Sequence, residues 1–246
     1  MRKILLGLLG LSVCLSSFVQ AADDVEGAIK QSLSKVDPRI KVTAVKDSPI
    51  AGTHEVELNS GEFIYADSKG EYFLIGQLYR YSDADGFVNL TEEKKKQQRV
   101  STLDEIQDKN LVVFAPKGDV KATVSIFTDV DCPYCRKLHD EVPKLNAMGV
   151  QVNYLAFPRQ GPKSKAYRTM VSIWCAEGEQ GKRDAMTAAK SGSDLDAATC
   201  DNPVLDQLSM GQMMGVTGTP ALVLEDGSLV PGYVPAAQLG KMLGVN

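Results

Sequence analysis

Cys132 and Cys135 stand three residues apart in the stretch FTDVDCPYCRKLH, residues 127–139. Such a pair can supply half of a zinc site, close a structural bridge, or cycle between dithiol and disulfide. Zinc needs a second closely spaced Cys or His pair. Here Cys175 and Cys200 are far apart, and the only histidines are His54 and His139, so no metal site is expected. A bridge between positions i and i+3 closes a very short loop, which the chain-entropy account gives the least stabilisation. The redox reading fits the surroundings. Cys132 follows an apolar run and precedes Pro133, a residue favoured at the first position of a helix. Unpaired backbone N–H groups and the positive end of the helix dipole there favour a thiolate, the attacking species. Cys135, one turn further in, is shielded from that field and suits the resolving role. Pro133 and Tyr134 complete the motif. Arg136 and Lys137 add positive charge nearby, while Asp129 and Asp131 oppose it.

Three further cysteines bear on the compartment. Cys14 lies in a leader: Arg2 and Lys3 precede an apolar run, residues 4–13, and Val19-x-Ala21 fits the small-residue pattern of signal peptidase. Cleavage after Ala21 is expected, with export of a soluble chain, because no other stretch approaches the ~20 apolar residues of a membrane span. A lipoprotein reading at Cys14 is poor, since bulky Val13 sits where a small residue is wanted. Cys175 and Cys200 then remain in an oxidising compartment, where two thiols are expected to pair; the alternative is that one serves as a relay thiol. With Arg2 and Lys3 gone, 25 basic residues face 31 acidic ones. Such a balance gives no footprint for a nucleic-acid partner.

The elements that must hold these residues fall into two sets. Residues 23–36 have helical apolar spacing, and four short alternating runs follow (IKVTAV, HEVEL, EFIYAD, EYFLIG), separated by turn signals. This is a small antiparallel sheet with one helix. Its core is marginal alone and its strand edges invite a second copy. Residues 89–108 are polar and helix-forming with few apolar anchors, as in a connector; Thr102-x-x-Glu105 is a weak capping signal for a second helical piece. Lys94, Lys95 and Lys96 read as a solvated face. From Leu111 the order becomes strand, strand, helix (133–148, kinked or ended at Pro143), strand, a helical stretch at 164–190, helix (205–214), hairpin and final helix. That is the element order of a thioredoxin-like domain. In that fold Thr219-Pro220, after a glycine-rich turn, would be a cis-proline loop packed against the CxxC, leaving the backbone before it free to pair with extended substrate. The plainer alternative is a trans proline opening an edge strand. Trp174 reads as core, as do Met210, Met213 and Met214. His139 reads as a solvated helix-face residue.

FTDVDCPYCRKLH, YLAFPRQG, IWCA with a later TCD, and GVTGTPALVLEDGSLVPGY, following the small N-terminal domain, together resemble the DsbC/DsbG family of periplasmic thiol:disulfide isomerases in the thioredoxin superfamily. The resemblance covers nearly the whole chain after the leader. It implies an α+β protein: a cystatin-like dimerisation domain at 22–88, a linker helix at 89–108, and a thioredoxin-like α/β catalytic domain with a helical insert at 109–246. It implies a V-shaped homodimer with chaperone activity, no cofactor, misoxidised or unfolded exported proteins as clients, and a DsbD-type membrane reductase as partner. Cys132 and Cys135 would be the redox pair, Thr219 and Pro220 the substrate-binding loop, and Cys175–Cys200 the structural bridge. Two positions depart from the common pattern. Pro133 stands where Gly is usual, as in the DsbG branch that acts on sulfenylated thiols, and Arg136 stands where His is usual. Both positions tune thiolate stability.

Overall fold

The computed structural model describes residues 17–245. The leader expected at 1–21 lies largely outside them. Contacts divide the chain between Gly76 and Gln77.

In the first unit, helix α1 (Ser17–Val36) precedes strands β1 (Val42–Asp47), β2 (Thr53–Leu58), β3 (Phe63–Asp67) and β4 (Phe73–Ile75), which form an antiparallel sheet in sequence order. Ile29 and Leu33 of the helix pack on Val56, Leu58, Ile64 and Ala66. These are alternate residues of β2 and β3, so the period-2 pattern buries one sheet face under the helix. Gly70 turns from β3 to β4 with φ +65°, and a Cβ there would meet the Ala28 backbone at 3.0 Å. Only glycine allows both that φ and that approach.

The second unit begins with a hairpin, β5 (Tyr79–Ser82) and β6 (Gly86–Asn89). The turn SDADG, residues 82–86, is the tip of this hairpin. Helix α2 (Leu90–Asp104) follows, capped by Asn89, whose Oδ1 accepts from Glu92 N. It runs through Thr102, whose hydroxyl donates back to Gln98 O, so the expected capping box at 102–105 does not form. The helix is also more than a connector. Arg99 is buried and donates to Met214 O, Gly227 O and Glu92. The hairpin and α2 thus group with the second unit.

Strands β7 (Val112–Phe114), β8 (Ala122–Thr128), β9 (Val150–Ala156), β10 (Ala221–Val223) and β11 (Leu229–Pro231) form a five-stranded sheet ordered β11-β10-β8-β9-β7. Only β8 and β9 are parallel, joined by α3 (Pro133–His139) and α4 (Val142–Ala147). The helix expected over 133–148, kinked or ended at Pro143, is interrupted just before that residue, and Pro143 sits in the first turn of the second piece, where its missing N–H costs nothing. Helices α5 (Lys165–Trp174) and α6 (Gly178–Lys190) form the insert; α7 (Val204–Met213) and α8 (Ala236–Met242) complete the fold. This is a thioredoxin-like arrangement. Val124 and Ile126 of β8 and Val152 and Tyr154 of β9 are fully buried in one core with Leu138, Met170, Met186, Leu222 and Leu239. Central strands covered on both faces explain why their sequences are nearly all apolar at the ends nearest the site.

Candidate active site

Strand β8 ends at Thr128, and four residues later Cys132 caps α3 in an extended conformation, with Pro133 at the first helical position. Backbone bonds from Cys132 N to Asp129 O and from Arg136 N to Cys132 O set this turn. Strand β10 pairs with β8 so that Ala221 faces Phe127. That register brings Thr219, 87 residues away, beside the first cysteine: Cys132 Sγ donates to Thr219 O at 3.2 Å. The Thr219–Pro220 peptide is cis. Tyr134 is exposed beside the pair. Cys175 and Cys200 are bonded to each other, their Cα atoms 5.7 Å apart.

Both Cys132 and Cys135 are free thiols with little exposed surface, yet they titrate in opposite directions. Burial pushes Cys132 up, but hydrogen bonding at Thr219 and at Cys135, with the charge of Arg159, outweighs it and leaves the thiol below its ordinary value. Burial dominates at Cys135 and raises it, against the opposing pull of Lys190, the Asp129 backbone and Thr219 and Thr128. The outer sulfur is the better thiolate and the inner one the better-protected thiol.

The supporting residues were harder to see in the sequence. Asp129 is buried, its carboxylate accepting from Arg159 N and Nε and from Asp131 N; this ties the FPRQG loop to the CxxC turn. Lys190, at the end of α6, is 4% exposed and donates to Thr128 Oγ1 and Asp129 O. His139 is a correction. It is buried, not solvated, and pairs through Nδ1 with Tyr154 OH at 3.0 Å and through Nε2 with Thr187 Oγ1 at 3.2 Å. Burial, then the nearby Lys190 charge, pushes it down to about 4. The sequence hint was the four-residue spacing of His139 from Cys135, which sets both on the buried side of α3. Trp174 is core, donating to Asn110 O. Of the three methionines expected in the core, Met214 is buried and Met213 exposed. A cavity of about 780 Å³ lies by Phe114, His139, Pro143 and Thr187, and neither cysteine lines it. Among the described residues no cluster of His, Cys, Asp or Glu is arranged to hold a metal.

The arrangement can exchange disulfides: one thiol favoured as thiolate, one protected thiol, and a cis-proline turn beside the first. Residues 107–244 match the thioredoxin-like domain family, and residues 20–92 match the N-terminal domain of disulfide bond isomerase proteins. The thiol:disulfide interchange protein DsbC of Dickeya dadantii (strain 3937) is 39% identical over 98% of this chain and 94% of its own length. That of Escherichia coli (strain K12) is 37% identical over 95% and 92%. Among solved structures, a disulfide interchange protein from Neisseria gonorrhoeae aligns with a TM-score of 0.50 and 28% identity, covering 56% of this chain and 96% of that one. A linker-deletion mutant of ScsC from Proteus mirabilis shares the fold, with a TM-score of 0.52 at 20% identity, over 62% of this chain and 84% of its own.

Proposed function

The chain belongs to the DsbC family of thiol:disulfide interchange proteins, and from that premise we propose that it reshuffles wrongly formed disulfides in exported proteins. The Cys132 thiolate attacks a substrate disulfide, forming a mixed disulfide and releasing one substrate thiolate. A substrate thiol then displaces Cys132, leaving a rearranged substrate and a reduced enzyme. Otherwise Cys135 attacks Cys132 Sγ, and the substrate leaves reduced while the enzyme leaves oxidised. The observation that carries this reading is the Cys132 thiol at the start of α3, within 3.2 Å of Thr219 O and beside the cis Thr219–Pro220 peptide, with the two sulfurs shifted in opposite directions. In the Michaelis complex the backbone at Thr219 pairs with an extended substrate segment, and exposed Tyr134 lies against it.

The wider proposal has four parts. Residues 1–21 are removed after Ala21, and the protein works in the periplasm; no helix among the described residues is long and apolar enough to cross a membrane. Residues 22–88 pair with a second copy, a reading supported by β4, a sheet-edge strand with Leu74 and Ile75 exposed. The 89–108 helix leads to the 109–246 catalytic domain, which a DsbD-type membrane reductase keeps reduced. Unfolded clients are held by apolar contact, giving chaperone activity, with Cys175–Cys200 as a structural bridge. Pro133 favours a second reading, a DsbG-like reductase of sulfenylated single thiols; a holdase with incidental thiols is a third.

The test uses a scrambled protein with several disulfides. Cys132→Ser abolishes recovery of the native pairing, and Cys135→Ser accumulates trapped mixed disulfide with the substrate. Undiminished recovery with Cys132→Ser overturns the assignment.

A further inference from the structure

Lys190 is an ammonium in the interior whose two hydrogen-bond partners, Thr128 Oγ1 and Asp129 O, are both uncharged oxygens. The carboxylate closest in sequence to those partners, that of Asp129, is spent on Arg159. Burying a cation without a directly bonded anion is costly. The Cys135 thiol lies against the same Thr128 side chain and Asp129 backbone that hold Lys190. The two groups therefore share one polar floor beneath the CxxC turn, and no anion occupies it while both cysteines are reduced and protonated.

We propose that Lys190 is a positioning residue for the resolving step, its ammonium serving as the fixed counter-charge to the Cys135 thiolate. The proposal rests on the assignment of Cys132 as attacking and Cys135 as resolving sulfur. In that step Cys135 gives up its proton and its sulfur bonds to Cys132 Sγ. The bond between Cys132 and the substrate sulfur breaks, and the departing substrate thiolate takes up a proton. Two electrons pass from the enzyme dithiol to the substrate disulfide, and Lys190 keeps its charge throughout. Because a thiolate buried this deeply is disfavoured by desolvation, a cation already in place lowers the cost at the moment it forms. Burial pushes Lys190 down to about 8, with the two cysteines and Asp129 pulling it back up and Arg136 opposing them, so the charge is present at neutral pH. The groups facing it are Cys132, Cys135, Arg136 and His139 from the α3 segment, Asp129 after β8, and the Tyr154 ring from β9, whose centroid is 5.9 Å from Nζ. Arg159 lies beyond Asp129.

The experiment reacts the reduced full-length protein with a peptide carrying one disulfide. The mixed disulfide is followed by acid quench and mass measurement from pH 5 to 9. In Lys190→Gln, which keeps a hydrogen-bond donor but loses the charge, the mixed disulfide through Cys132 forms within about threefold of the wild-type rate. Its decay to the Cys132–Cys135 bond is slowed by about tenfold or more near pH 7, and the pH midpoint of decay moves up by about one unit, the shift that corresponds to a tenfold loss of thiolate. Lys190→Arg, which keeps the charge, retains the wild-type midpoint. Should Lys190→Gln not fold, Lys190→Met carries the same expectation. A merely structural role changes the melting temperature but leaves the midpoint where it was; that result overturns the proposal. A wild type that forms no mixed disulfide through Cys132 overturns the dithiol assignment itself, so the two failures are distinct.

Discussion

His139 shows how much a single buried group can weigh in the pH response. Its pKa of about 4 in the folded protein lies below the 6.5 of a free imidazole, so the unfolded chain binds the extra proton first. Stability from this residue is complete above about pH 6.5, declines as pH falls toward 4, and is constant below, where both states are protonated. That difference corresponds to about 3 kcal/mol. Urea titrations between pH 7 and 4 should show a loss of that order in the reduced wild type. His139→Gln, already less stable at pH 7 for want of a matched partner to Tyr154 and Thr187, should lack that part of the slope. An equal slope in both proteins would place the titration elsewhere. The cysteines obey the same logic: three residues apart, they part company because hydrogen bonding and the Arg159 charge outweigh burial at Cys132, whereas burial outweighs the opposing groups at Cys135.

At the scale of elements, α2 is held against the thioredoxin-like sheet by Arg99, by the Lys96–Asp226 ion pair at 3.3 Å and by a close approach at Gly227. Arg99 satisfies the carbonyls of Met214 and Gly227 and pairs with Glu92, so Arg99→Met leaves buried acceptors without donors. The expected cost is about 3 kcal/mol, read as an earlier urea midpoint. Gly227 has φ +79°, and a Cβ there would fall 2.1 Å from Lys96 O. Gly227→Ala must therefore push α2 away, and hydrogen exchange along residues 90–104 should quicken while the five-stranded sheet stays protected. The insert is held differently. The Cys175–Cys200 bridge closes a loop with a sequence separation of 25, and its replacement by a pair of alanines should cost about 3 kcal/mol on the loop-entropy account. Alkylation of Cys132 should remain fast in that variant, since the bridge contacts neither redox sulfur.

On the scale of the whole molecule, the proposed pairing with a second copy is tested at the open sheet edge of the first unit. Leu74 and Ile75 are exposed on β4, at 56% and 81%, with Tyr72 beside them. An open edge of this kind is a template for another chain. Ile75→Lys should shift the protein to a monomer by sedimentation, with recovery of scrambled substrates falling severalfold while simple reduction of a small disulfide persists. A dimer that survives this change, or a monomer that isomerises as well as the wild type, would remove the edge from the account.

The sequence by itself determined what is local. Cys-Pro-Tyr-Cys after an apolar run places a thiol at a helix start, because Pro133 and the helix period act over a few residues. Strand alternation in 42–75 and the apolar runs of β8 and β9 likewise declare their own elements, though the short β5–β6 hairpin was masked by its polar turn. Thr219 beside Cys132, reached through the β8–β10 register, was implied by the thioredoxin-like element order. Tertiary structure alone decided the other distant meetings: Lys190 reaches the CxxC floor from the end of α6, and Arg99 finds Met214 across 115 residues. His139 became a buried neutral base for the same reason: desolvation and pairing depend on what packs around a group, and no local pattern in the chain records that.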